Sequence, residues 1–372
     1  MSNALLNINT PTYIADIAAL ERNLILLRKL KHETGVKVLL ATKAFSMFSV
    51  FGIMKDALDG TTASGLYEAR LGHTHFGKEI HTYSPAFTEQ EIQELNQYSD
   101  HIYFNSINQL KKFAPLCKGK QIGLRINPQI SQVKNSELYD PSAPHSRFGV
   151  LKGELTDEVL DQIDILHVHN LCENMAEDSS RLIDHVMEEF DFALKKVKQV
   201  NLGGGHYFTH PDYDIDEFVL AIRRMKTRYK LKKIIIEPGA ALVYNAGYLA
   251  ATVLDVIERE TPIAILDTSA SAHMPDVLEV PYTPEILNPS GEHTYILGGK
   301  TCMAGDVIGT YSFAKPLEVG QKIVFTDMLQ YTMVKNTTFN GMPLPDLGIL
   351  HEGGTYEHLK SFSYDDFEKR LS

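Results

Sequence analysis

Cysteine is scarce in this chain: three residues, Cys117, Cys172 and Cys302, an odd number without the spacing of a metal site. That leaves no basis for a disulfide framework, and a reducing cytoplasm fits such usage best. Basic residues do not predominate either. The formal net charge is −11 and no segment carries a basic stripe, which argues against nucleic acid as a partner. An acidic surface is compatible with a cationic substrate. Long apolar runs are also missing. The longest uncharged stretch, 238–254, contains Pro238, Gly239, Asn245 and Gly247 and is shorter than a spanning helix, which argues against a membrane role. Residues 1–13 lack the basic-then-apolar order of a signal peptide. Internal repeats, low-complexity tracts and obvious linkers are absent.

What recurs is a short apolar run, a polar or glycine-bearing loop, and then a helical pattern. The runs are 36–42 (VKVLLAT), 60–63, 80–83, 101–104, 121–126, 165–169, 197–202 and 233–237. Between them, 16–33, 65–76, 107–116 and 178–197 space their apolar residues for one helix face; in the first, Ile17, Leu20, Leu24, Leu27 and Leu30 fall at three- and four-residue steps. Eight strands alternating with helices imply parallel βα units, and eight closes a (β/α)8 TIM-like barrel. The interval 127–164, with Pro128, Pro141 and Pro144, reads as an excursion over the barrel mouth. After Gly247 the pattern changes to strand-like segments at 248–257, 263–267, 294–297, 321–326 and 331–335. Segment 10–15 (TPTYIA) is a further strand that can pair with them. The expected division is therefore a barrel domain over 16–247 and a β-domain, sandwich or barrel, built from 1–15 and 248–372. With 44% apolar and 22% charged residues over 372 positions, the chain can bury both cores.

In such a barrel the chemistry sits at the C-terminal ends of the strands. Those ends carry Lys43, Ser64, Ser84, Asn105, Arg125, His169, Gly203–Gly205 and Glu237. A partly desolvated lysine has the lowered pKa that Schiff-base chemistry with an aldehyde cofactor needs, although a lysine at a strand end can also simply snorkel. Gly203, Gly204 and Gly205 bring backbone N–H groups close enough for a phosphate, or form a flexible turn. Glu237 can hold a pyridine nitrogen protonated, or cap a helix. His167 and His169 share a strand face. No third metal ligand accompanies them in the sequence, so His169 fits stacking on a flat cofactor and His167 a hydrogen-bonded core position. Cys302 lies in a polar, glycine-flanked loop with an acid four residues later, a setting for a catalytic thiol, although a lone cysteine is more often a small buried hydrophobe.

Together these residues resemble the alanine racemase-fold decarboxylases, the family of the ornithine, arginine and diaminopimelate enzymes. Within it they are most similar to the carboxypolyamine branch, which acts on carboxynorspermidine and carboxyspermidine. The matching stretches are ATK at 41–43, TASG at 62–65, SRFG at 146–149, HNLCEN at 169–174, LGGG at 202–205, EPG at 237–239, TCMAGD at 301–306, YTMVK at 331–335 and TFNG at 338–341.

The resemblance implies pyridoxal 5'-phosphate as cofactor and decarboxylation in polyamine, including spermidine, biosynthesis. It implies Lys43 as the covalent link to the cofactor and His169 as the residue on its ring face. Gly203, Gly204, Gly205 and Tyr331 would hold the phosphate, and Glu237 the ring nitrogen. Cys302 would return a proton to the α-carbon after CO2 leaves, and Asp306 would help hold a substrate amine. It also implies a homodimer in which Cys302 and Asp306 serve the other subunit's site.

Departures point to the branch. Met303 stands where ornithine- and diaminopimelate-type enzymes carry an acid, Ala240 where EPG continues with arginine, and Cys172 replaces a phosphate-binding serine. In SAHMPDVLE at 271–279, Asp276 and Glu279 can receive a distal ammonium, or be two solvated acids. Met303 and this stretch speak against a diaminopimelate- or ornithine-type decarboxylase. Retention of Lys43, His169, Glu237 and Cys302 speaks against a non-catalytic regulator.

Overall fold

Successive side chains of a strand point to opposite faces, and here eight short apolar runs, buried on both faces, close on themselves. In the computed structural model of the protein, which describes residues 3–132 and 139–372, β1 (Thr12–Asp16) leads into the helix Ile17–Thr34. The barrel follows, from β2 (Lys37–Ala41), β3 (Gly60–Ala63), β4 (Glu79–Tyr83) and β5 (His101–Phe104) to β6 (Gln121–Arg125), β7 (Ile165–His167), β8 (Gln199–Asn201) and β9 (Lys233–Ile236). Each strand pairs in parallel with the next, and β2 pairs with β9 to close the ring. All eight runs expected as barrel strands are strands.

Inside the barrel, Leu39, Tyr103, Ile165 and Ile235 form a packed apolar layer. The two-residue step puts His81 and Tyr83 on β4, Tyr103 and Asn105 on and just after β5, and Arg125 and Asn201 at the ends of β6 and β8 in the same interior. A methyl group on Gly123 would stand 2.1 Å from the Tyr103 ring, so this glycine makes the room that the phenol occupies. Of the excursion expected between β6 and β7, residues 133–138 lie outside the described residues. The remainder makes a parallel bridge between Ile126 and Val150.

Two units partition the chain, 23–242 and a second of 1–22 with 243–372. The second is a mixed sheet of β1 with β10 (Gly247–Ile257), β11 (Ile263–Leu266), β12 (His293–Gly298), β13 (Val307–Phe313), β14 (Lys322–Thr326), β15 (Asp346–Leu350) and β16 (Tyr356–Lys360). Strand β1 lies antiparallel to β10 and parallel to β15, so the N-terminal strand does pair with the late sheet. Tyr13, Leu249, Val253, Leu266, Leu297 and Phe325 centre its core. One expected strand is absent: 331–335 forms the helical turn Thr332–Lys335, entered through Tyr331 at φ 54°. The β-like run YTMVK was misleading because the positive φ at Tyr331 turns the chain before a strand can start. No helix among the described residues is long and apolar enough to cross a membrane.

Candidate active site

Lys43 lies just beyond the end of β2. Its side chain stays solvent-accessible while protein surrounds its ammonium, the combination expected of a residue lining an open barrel mouth. Burial lowers its pKa, the Arg125 charge lowers it further, and Glu237, Glu68 and Cys172 oppose the shift. Glu68 ties two loops of the mouth together, accepting from Thr42 Oγ1 at 2.8 Å and from the Ser64 N–H at 2.7 Å.

Glu237 directly follows β9 and is buried. Its N–H donates to the Gly203 carbonyl at 2.7 Å, and its Oε1 accepts from Asn201 Nδ2 at 2.7 Å. Oε2 is 3.6 Å from His167 Nε2, too long for a hydrogen bond. Burial acts to raise the carboxyl's pKa, but its neighbours, Asn201 among them, outweigh it and hold the group below the ordinary carboxylate range. His167 is itself pushed down by burial and is uncharged at neutral pH, which leaves Asn201 as the standing donor. The hydrogen-bonded core role expected for His167 is corrected: both its ring nitrogens are buried without a hydrogen-bond partner among the described residues.

The three glycines are needed for packing as much as for any ligand. Gly203 and Gly205 take φ of 69° and 87°. A methyl group on Gly204 would stand 2.5 Å from the Glu237 carbonyl oxygen, and one on Gly205 2.1 Å from that of Leu171. The Gly203 N–H donates to Asn201 Oδ1 at 2.9 Å and the Gly204 N–H to His169 Nδ1 at 3.1 Å. Two of the three amides are thus committed to the protein. Arg125 Nη2 donates to the His169 carbonyl at 2.7 Å, and its guanidinium lies 4.8 Å from the Tyr83 ring centre and 4.5 Å from that of Phe148. His169 is driven well below its ordinary pKa, first by burial and then by Lys43 and Arg125.

Lys43, His169, Gly203–Gly205 and Glu237 therefore converge on one barrel mouth. Asn201 was missed as a site residue. Its signal was positional, two residues before Gly203 and so on the same strand face. The reading of the histidine pair also changes, because Glu237 supplies the third donor not apparent in the sequence. Donor atoms of His167, His169 and Glu237 lie within 4.8 Å of one another, as do those of Glu79, His81 and His101. Lys43 acts electrostatically on Glu237 in the first group, and Lys37 pairs with Glu79 in the second.

The remaining candidates lie in the sheet unit. Cys302 is exposed, and its N–H is pinned to Asn340 Oδ1 at 2.7 Å. Asp306 departs from the expected amine contact. It is buried, with Oδ1 accepting from Ser269 Oγ and the Ala270 and Ser271 N–H groups, and Oδ2 from the Thr301 N–H and Oγ1. Its lone pairs anchor the thiol loop to the helical turn Ala270–His273 instead. Asp276 and Glu279 are not two separate solvated acids, since Lys335 Nζ bridges both carboxylates. Tyr331, which opens that turn, accepts the Lys335 N–H on its carbonyl at 2.8 Å.

These residues fit pyridoxal phosphate: a lysine of lowered pKa, a buried carboxylate with one oxygen not hydrogen-bonded among the described residues, and a loop whose glycines admit no side chain. Residues 12–328 match the family model for the pyridoxal-dependent decarboxylase, C-terminal sheet domain. The carboxynorspermidine/carboxyspermidine decarboxylase of Campylobacter jejuni is 40% identical, over 98% of this chain and 98% of its own. The carboxyaminopropylagmatine decarboxylase of Synechocystis is 37% identical, over 97% of this chain and 95% of its own. The crystal structure of the Campylobacter jejuni carboxynorspermidine decarboxylase complexed with norspermidine aligns at a TM-score of 0.92 and 39% identity, covering 98% of this chain and 100% of that one.

Proposed function

This chain belongs to the pyridoxal-dependent decarboxylases, and we propose that Lys43 carries its cofactor in the removal of the α-carboxylate of carboxynorspermidine or carboxyspermidine, giving norspermidine or spermidine. The enzyme is a carboxy-lyase of polyamine biosynthesis. The observation that carries the residue assignment is the meeting of Lys43, His169 and Glu237 at one mouth of the closed barrel.

Pyridoxal phosphate, when bound, supplies an aldehyde for a covalent bond to an amine and a ring that accepts an electron pair. Lys43, shifted toward its neutral amine, would hold the cofactor through that bond. His169, uncharged and oriented by the Gly204 N–H and Arg125, presents a flat ring for stacking. Glu237 would hold the pyridine nitrogen protonated. Gly203–Gly205 and Tyr331 would hold the phosphate, with Gly205 the amide of the three that has no partner among the described residues. Cys302 donates its thiol proton to the α-carbon once CO2 has left, and Asp306 acts by holding the Cys302 loop in shape. Asp276 and Glu279 receive the distal ammonium of the substrate in place of Lys335, since one ammonium can replace another between the two carboxylates.

The functional unit under this reading is a homodimer with shared sites. Support comes from the surface around Cys302, where Met303 and Val307 are exposed apolar residues and β13 is an edge of its sheet. Exposed thiols at Cys172 and Cys302 support a cytoplasmic location.

The Synechocystis relative favours carboxyaminopropylagmatine as a second candidate substrate. One experiment decides: CO2 release by the pyridoxal phosphate-loaded protein from carboxyspermidine, carboxynorspermidine, carboxyaminopropylagmatine, diaminopimelate, ornithine and arginine. The carboxypolyamines should give the highest kcat/KM. A higher value for diaminopimelate or ornithine refutes the substrate assignment.

A further inference from the structure

A hydrogen-bonded path runs through the barrel interior from Glu237 to the opposite end, and its polarity can be read from its ends. Asn201 Oδ1 accepts from the Gly203 N–H at 2.9 Å, which fixes the orientation of the amide. Its Nδ2 must then face both remaining partners, Glu237 Oε1 at 2.7 Å and the Tyr103 hydroxyl at 3.2 Å, with one hydrogen for each. Having accepted from Asn201, Tyr103 donates to His81 Nδ1 at 2.7 Å. His81 therefore carries its proton on Nε2 and donates it to Glu79 Oε1 at 2.9 Å. Glu79 also accepts from His101 and Lys37, so it is an acceptor only.

Every donor on this path points away from Asn201. An amide that donates in both directions cannot pass a proton, so the path is not a relay between the two carboxylates. It is a fixed set of dipoles, anchored at Glu79 and Lys37 and ending on Glu237. The other groups facing Glu237 are His167 from β7, which is uncharged, Lys43 just beyond β2, and the Arg125 guanidinium at the end of β6.

We propose that Asn201, held in this orientation by Gly203 and Tyr103, is a positioning residue that keeps Glu237 the weaker base of the pair it forms with the cofactor's ring nitrogen, so that their shared proton stays on the nitrogen. The proposal rests on the assignment of Glu237 to that nitrogen. A hydrogen bond donated to a carboxylate stabilises its ionised form. Withdrawing one from a charged acceptor in a buried site makes that carboxylate about tenfold to a hundredfold more basic. The proton then moves from the ring to Glu237, and the ring becomes a poorer electron acceptor.

The test uses holoenzyme loaded with pyridoxal phosphate carrying 15N in the ring, without substrate, at neutral pH. The 15N chemical shift reports directly where the proton resides. Glu237→Gln should move the signal toward the unprotonated ring, and Asn201→Ala should move it part of the way. Asn201→Ala should also lower kcat about tenfold or more, with KM within about twofold. Tyr103→Phe keeps the shape and the Asn201–Glu237 bond, and should give a smaller displacement in the same direction. Should Asn201→Ala fail to fold, the Tyr103→Phe signal decides alone. A shift with Glu237→Gln but with neither other variant overturns the role of Asn201 and leaves that of Glu237 standing. No shift with Glu237→Gln removes the assignment of Glu237 itself, and the proposal with it.

Discussion

Gly205→Ala is the substitution whose cost follows most directly from the coordinates. The added methyl group would stand 2.1 Å from the Leu171 carbonyl oxygen and 2.2 Å from its carbon. Those are backbone atoms, so no side-chain rotation relieves the overlap. Gly205 also has φ 87°, where a Cβ is strained regardless of space. The left-handed backbone contributes about 1–2 kcal/mol and the overlap about 1–3 kcal/mol, for a total of about 2–5 kcal/mol. Gly77→Ala isolates the first contribution, because Gly77 has φ 69° and nothing within 4 Å of a Cβ. Urea unfolding of the two apoproteins should thus differ by about 1–3 kcal/mol. The overlap has a functional readout as well. Leu171 shares a loop with His169, and the Gly205 carbonyl accepts the Asn174 N–H at 2.8 Å at that loop's end. Moving it should weaken cofactor binding about tenfold, the equivalent of about 1.4 kcal/mol, whereas Gly77→Ala should leave binding unchanged. If Gly205→Ala is no less stable than Gly77→Ala and binds cofactor equally well, the close approach of the two loops is not what requires glycine.

Acid should destabilise the fold well above the carboxylate range. Burial holds His81, His206 and His273 at about 4 against an ordinary 6.5, so stability is complete above pH 6.5 and falls as pH drops toward 4. Each histidine contributes on the order of 3 kcal/mol across that window, and a calorimetric Tm unchanged between pH 6.5 and 5 would contradict it. Replacing Asp276 with Asn and Glu279 with Gln together should raise KM for carboxyspermidine without altering cofactor affinity; an unchanged KM would leave them a partner for Lys335 alone. Inactive Lys43→Ala and Cys302→Ala proteins, mixed and allowed to exchange subunits, should recover about one quarter of wild-type activity, because half of the dimers are mixed and each has one intact site. No recovery in mixed dimers verified by mass spectrometry would place both residues in the same subunit's site.

The sequence alone determined the barrel and which polar residues stand at its strand ends. Both depend on short-range information: short apolar runs, helical spacing between them, and a lysine, a histidine, three glycines and a glutamate at strand ends. The sheet was less legible. Strand β13 contains Gly309, β15 contains Gly348 and β16 carries Glu357, His358 and Lys360, so none has a clean alternating pattern, and β15 finds its parallel partner in β1 at the other end of the chain. Only tertiary structure decided what the polar side chains do. Asp306 and Asn201 look like ordinary polar residues in sequence. One becomes a buried loop anchor and the other the donor to Glu237, because barrel closure and sheet register choose their neighbours. A hydrogen bond depends on tenths of an ångström between strands 36 residues apart, as Asn201 and Glu237 are, and no periodicity along the chain encodes that distance.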